Sequence, residues 1–206
     1  MARVFKQAVS LGPVCRGKFH IKKVLAYGGK RGVFDGQVTP PSALIEYLRR
    51  DFVGMFERDD LYIENKRVFN RRFGTNHIHE FPEDVTEATL DLLYPEARRK
   101  HDVWCANTRK ALTCGLSTLF VLSRPVAKPD LAEITDLVQG MAPRRKFLLL
   151  PSPEDDSGDD WTGNHALWRD HLSRFMIRPP LLTRAKFWIH QMRKNRHRRK
   201  ARSAGA

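Results

Sequence analysis

Residues 116–152 constrain the fold most tightly. "LSTLFVLSR" is an unbroken apolar run of strand length, of the kind buried on both faces. "KPDLAEITDLVQGM" follows with Leu131, Ile134, Leu137 and Val138 on one helical face, and "RKFLLLPS" is a second buried strand. A strand, a helix and a strand in this order predict a parallel pair joined by a right-handed crossover. The fold class expected is therefore α/β, a single domain with a largely parallel central sheet flanked by helices.

The rest of the chain supplies elements that fit such a body. "RVFKQAVSLG" reads as a first strand ended by Gly12 and Pro13, and "CRGKFHIKKVLAY" as a helix stopped at Gly28 and Gly29. "SALIEYLRRDFVGMF" predicts a second helix capped by Ser42. "DLYIEN" and "RVFNRRFGTNHIHEF" read as short strands and a turn. Residues 82–113 read as helix in two pieces divided at Tyr94-Pro95. "PEDDSGDD" is expected to be an acidic, flexible loop, and "NHALWRDHLSRFM" the last helix of the body.

Pro179 and Pro180 then set off a basic segment, giving an expected division into a body of residues 1–178 and a C-terminal helix or tail of residues 179–206. The net charge is +14, and it is concentrated: nine of the 37 Lys and Arg residues lie between Arg184 and Arg202, with no acid among them. Such a run, with Phe187, Trp188, Ile189 and Met192 before its densest part, suits an anionic membrane surface or nucleic-acid phosphates at 184–202, or a solvated tail. No stretch is long and apolar enough to span a membrane. No secretory signal is visible at the N-terminus, which places the expected protein in the cytoplasm, peripheral to the membrane if the tail binds there.

Three cysteines, Cys15, Cys105 and Cys114, are an odd number without C-x-x-C spacing, so neither a disulfide framework nor a cysteine zinc site is expected. Cys105 and Cys114 read as buried, inert thiols. Cys15 differs because it opens a helix just after a Gly-Pro turn. Free N–H groups and the partial positive charge of a helix start favour a thiolate, and Arg16 and Lys18 add charge. Gly12 and Gly17 leave room for a ligand, and the local N–H groups suit an oxyanion.

A cysteine nucleophile needs a base and a group to orient it. "FGTNHIHEF" offers His77 and His79, on one face if extended. His20, five residues after Cys15, would be turned away from it. "VFDGQ" offers Asp35, whose ordinary reading is a turn-forming aspartate. With Glu80 or Asp35 the two histidines still lack a clear further ligand, so no metal is expected, and no cofactor is implied. Trp161 and Trp168 read first as packing residues, with stacking on a sugar or base as the other reading.

"VSLGPVC", "VFDGQVTPP" and "HEF" at 79–81, followed by "TLFVLSR", "KFLLL" and "DDWTGNHALW", resemble a bacterial family of papain-like cysteine peptidases over most of residues 5–175. The resemblance implies Cys15 as the thiol, His79 as the histidine and Asp35 as the aspartate, with His77 an alternative base. Gly12, Arg16 and Gln7 are then candidates for the oxyanion or substrate site, Gln7 by analogy with the upstream glutamine of papain-type enzymes. Val33 stands where the family tends to have Pro, and Gly36 where it tends to have Trp.

The function expected is a cysteine-dependent hydrolase or acyltransferase working through an acyl-enzyme on an acyl, peptide or glycan substrate. Two alternatives stand beside it. One is a non-catalytic protein binding an anion or sugar nucleotide at the helix start, and the other is a polysaccharide-modifying transferase.

Overall fold

The computed structural model describes residues 2–142, 146–155 and 160–181. The basic run 184–202 and the middle of the acidic loop, residues 156–159, lie outside them.

Three parallel strands form the main sheet in the order β2 (Gln7–Ser10), β5 (Thr118–Val121), β6 (Phe147–Leu150). The predicted first strand is two strands split at Lys6. Its leading part, β1 (Arg3–Phe5), pairs in parallel with β7 (Phe175–Ile177) rather than with the main sheet. The end of the predicted last helix, "FM", thus belongs to a strand. The hairpin β3 (Leu61–Glu64) and β4 (Arg67–Asn70) is antiparallel and turns through Asn65 and Lys66, both at positive φ.

Alternation along β5 gives the layers. Leu119 and Val121 pack with Ala8, Leu150, Ile21 of α1 (Arg16–Val24) and Trp168 and Leu172 of α5 (His165–Ser173). Phe120 and Leu122 pack on the other side with Leu44, Ile45 and Leu48 of α2 (Pro41–Arg49), and with Ile134 and Val138 of α4 (Lys128–Met141). Strands β5 and β6 are the predicted parallel pair with α4 between them in sequence, and α4 has the bounds read from the sequence. Two helical layers thus cover a parallel sheet, and the fold is α/β.

Helix α2 begins one residue earlier than expected. Pro41 takes the first helical position, where its missing N–H costs nothing, and Ser42 does not cap. It stops at Arg49 because Asp51 and Phe52 adopt positive φ. Tyr94-Pro95 does not divide the long helix: α3 (Glu87–Thr113) runs through it. A proline removes one helical donor. On either side of it, Tyr94 donates its hydroxyl to the Phe56 carbonyl at 2.8 Å, and Arg98 pairs with Asp102 at 2.9 Å. Leu90 and Ala97 are buried with Phe56, Leu61 and Val68 of the hairpin side.

Candidate active site at the carboxyl ends of the parallel strands

The carboxyl ends of β2, β5 and β6 lead into the segments that carry the sequence motifs. After β2, Leu11 N–H still donates to Val121 at 3.0 Å, and Ser123 N–H donates to the Gly12 carbonyl at 2.6 Å. Ser123 Oγ clamps Val14 from both sides, accepting from its N–H at 2.9 Å and donating to its carbonyl at 2.8 Å. Gly12, at φ +80° and followed by a cis peptide to Pro13, turns the chain, and Cys15 is delivered to the first position before α1. Ser123 was not a candidate in the sequence, where it is simply the polar end of an apolar strand.

The other two motifs are hydrogen-bonded to this turn. Thr39 N–H donates to the Pro13 carbonyl at 2.7 Å. Val38 and Asn76 exchange a pair of backbone bonds at 2.8 and 3.0 Å, and His79 N–H donates to the Gly36 carbonyl at 3.1 Å. Residues 12–15, 35–39 and 76–79 therefore form one stitched ribbon, although they are far apart in sequence. Phe34 packs beneath it: a β-carbon on Gly12 would lie 3.5 Å from that of Phe34.

Cys15 is half-buried and its thiol is free of any disulfide. Burial pushes the thiol up, its own backbone N–H pulls it down, the Asp35 charge pushes it up, and Arg31 and Arg16 pull it down. The net direction is upward, which favours the thiol over the thiolate. Its sulfur makes no hydrogen bond to His77 or His79. The amides of Arg16, Gly17 and Lys18, in the first turn of α1, make no backbone hydrogen bond among the described residues, and Arg16 and Gly17 are themselves buried.

Asp35 ends a single 3-10 turn, Val33–Asp35, and is 4% exposed. Its Oδ2 accepts from Gly32 N–H at 2.8 Å and lies 3.5 Å from Lys18 Nζ, while Oδ1 is buried without a partner. Burial is the main reason its carboxyl is held above the ordinary range.

The two histidines separate. Residues 78–80 form a turn, not a strand, so the same-face expectation fails. His77 points into the core, where Nε2 meets Thr75 Oγ1 at 3.0 Å and Nδ1 meets Glu80 Oε1 at 3.3 Å. Both ring nitrogens are engaged, which removes it as the alternative base. His79 is exposed on the turn, and its imidazole has no hydrogen-bond partner among the described residues. Desolvation and the Arg31 charge lower its pKa, leaving a neutral ring able to take a proton. Among the described residues no cluster of His, Cys, Asp and Glu is placed to hold a metal.

The candidates for oxyanion or substrate contacts are committed elsewhere. Gln7 stands at the far end of β2 from Gly12. Its amide donates to Ala111 O at 2.9 Å and Thr118 Oγ1 at 2.8 Å, so it cannot reach the Cys15 turn. Gly12 uses its carbonyl on Ser123 and its N–H on Ser10 Oγ at 3.4 Å. Arg16 is 3% exposed and is consumed by Asp155, Asp160 O and Trp161 O. Gly17 leaves no ligand space either: a β-carbon there would lie 2.7 Å from Ser10 Oγ, so the glycine serves close packing of α1 on the sheet.

Gly36 has a physical reason to lack a side chain. A β-carbon would lie 2.3 Å from Cζ3 of Trp104, which reaches across from α3. Trp168 is buried as expected and stacks on His20 at 4.8 Å. Trp161 is 56% exposed, its ring edge-on to Phe19 at 5.2 Å. Cys105 is buried, whereas Cys114 is exposed, against the expectation.

Compared with protein-family models, with curated proteins and with solved structures, the chain finds no match in any of the three. No helix among the described residues is long and apolar enough to cross a membrane.

Proposed function

We propose that the protein is a cysteine-dependent acyl hydrolase or acyltransferase of the papain-like kind, with Cys15 as nucleophile, His79 as base and Asp35 as the carboxylate of the site. The observation that carries the reading is the stitched ribbon. The backbone bonds Thr39 to Pro13 and His79 to Gly36 bring the cysteine, aspartate and histidine segments into one neighbourhood at the carboxyl ends of parallel strands. This is where open α/β sheets place their chemistry.

The protonation states suggest the order of events. A thiol held up and an imidazole held down make a neutral pair at rest. His79 takes the thiol proton as sulfur attacks the carbonyl carbon, rather than standing beside a ready thiolate. The tetrahedral oxygen is met by the first-turn amides of Arg16 and Gly17, in place of the Gln7 amide. The proton passes to the leaving group, and water or another acceptor then takes the acyl group from sulfur. The substrate is accordingly a peptide, glycan ester or other acyl compound.

The first-turn amides also favour the second reading, a site that holds an anion or sugar nucleotide at the start of α1 without chemistry. One experiment separates the two. The full chain is mixed with p-nitrophenyl acetate, and peptides are mapped by mass spectrometry. Acetyl transfer to Cys15, abolished in Cys15→Ala and slowed about a hundredfold in His79→Ala, supports the enzyme. No adduct on Cys15, or an equal rate in His79→Ala, overturns it and leaves the binding protein.

A further inference from the structure

Arg31 is a cation held over an aromatic ring, and it forms no ion pair among the described residues. Its guanidinium lies 4.9 Å over the Trp104 ring, and its carbonyl accepts from Asn107 Nδ2 at 2.9 Å. Trp104 and Asn107 are three residues apart on α3, so one helix face holds both ends of the residue. The same indole fills the space above Gly36, whose carbonyl receives the His79 N–H. Arg31 is therefore anchored at the junction of the Asp35 and His79 segments.

The other cations near Cys15 are already used. Arg16 is paired with Asp155. Lys18 lies 3.5 Å from Asp35 and donates to the Lys30 carbonyl at 2.9 Å. Arg31 alone of these makes no ion pair and no guanidinium hydrogen bond among the described residues, and it is exposed. Its charge still reaches Cys15, Asp35 and His79, each of which it influences. A guanidinium stacked on an indole loses little further freedom when its planar fork engages a carboxylate. Asp35, the carboxylate on the same ground, is held by Lys18 and Gly32 N–H and leaves the fork open.

We infer that Arg31 is a specificity-determining residue that takes a carboxylate carried by the substrate, so that the site prefers acidic acyl donors to neutral ones. This inference rests on the reading of Cys15 as the reacting thiol.

The test uses two alkylating reagents of nearly equal size, iodoacetate and iodoacetamide, on the full chain carrying Cys114→Ser, with labelling of Cys15 read by peptide mass. Thiolate content changes both rates together, so their ratio isolates recognition of the carboxylate. The ratio should fall about tenfold in Arg31→Met, the size of one charge-assisted hydrogen bond, and Arg31→Lys should restore part of it. A ratio unchanged in Arg31→Met overturns the inference. The His79→Ala protein tells the two readings apart. If its iodoacetamide rate equals that of the parent while the Arg31 effect persists, the base assignment fails and the anion contact stands. A second readout avoids the thiol entirely. In Cys15→Ala, succinate should raise the thermal midpoint, and Arg31→Met should abolish the rise. A rise of equal size in both, or no rise in either, overturns the proposal.

Discussion

Arg16 and Asp155 lie 3.2 Å apart with side chains only 3% and 1% exposed, and together they tie the loop after β6 to the first turn of α1. Asp155 also accepts from Trp168 Nε1 at 2.9 Å and Asn164 N–H at 3.0 Å, and so fixes the entry of α5. Gly163, at φ +70°, admits this crowding, since a β-carbon there would lie 2.2 Å from Asp155 Oδ2.

Removing one partner leaves a buried charge without compensation. Asp155→Asn should therefore lower stability by about 3 kcal/mol or more. The double variant Arg16→Met with Asp155→Leu should lose less than the two single effects combined. Urea midpoints of the parent, Arg16→Met, Asp155→Leu and the double variant check this, and additive losses would show that the pair is not a unit.

Gly36 and Trp104 give a steric cycle. Gly36→Ala should cost about 1–3 kcal/mol through overpacking against the indole. Trp104→Leu alone should be destabilising, but Gly36→Ala in that background should cost much less than in the parent. Thermal or urea unfolding reads the coupling. An alanine tolerated equally in both backgrounds would mean the backbone absorbs the contact.

For Asp35 the sign of the pH effect follows from burial. A carboxyl held above its ordinary range folds best when protonated. Its contribution is complete below the unfolded carboxylate range and is lost as pH rises through the higher folded value. Asp35→Asn keeps an acceptor for Gly32 N–H and removes that loss. At pH 7 the variant should be as stable as the parent or about 1 kcal/mol more stable, while acetyl transfer to Cys15 drops. In addition, removing the Asp35 charge should lower the pH midpoint of Cys15 alkylation. A clearly less stable Asn variant would assign Asp35 to the architecture instead.

His101 predicts the opposite slope. It is buried, stacks on Phe56 at 4.5 Å and meets Tyr47 OH at 2.8 Å and Cys105 Sγ at 3.5 Å. Burial first, then His77 and Arg98, keep its pKa well below the ordinary histidine value. The unfolded chain takes up a proton near pH 6.5 and the folded chain does not, so stability falls as pH drops below that value. One pH unit below it the loss from this group is about 1.4 kcal/mol. Urea titrations at pH 7.5 and 5.5 should show a smaller fall in His101→Phe than in the parent.

Much of the frame was legible because buried strands and amphipathic helices write their periodicity into the chain. Phe120 and Leu122 face one layer, Leu119 and Val121 the other, as a doubly covered strand requires. Of the proposed site, the segments carrying Cys15, Asp35 and His79 stood out in the sequence, but the residues that hold those segments together did not. Ser123 looks like any residue after a strand, and nothing near Arg31 in sequence announces Trp104, which arrives from a distant helix. Arg16 and Gln7 misled because a cation or an amide beside a motif carries no sign of the partner that will absorb it. Pro95 misled for a similar reason: its local preference yields to contacts made by Tyr94 and Arg98.

The pairing of β1 with β7 has a consequence for biosynthesis. Arg3–Phe5 is synthesised about 170 residues ahead of its hydrogen-bonding neighbour, Phe175–Ile177. During translation the leading strand must wait as an uncovered edge, and nascent chains halted before Met176 should be the ones that depend most on chaperones.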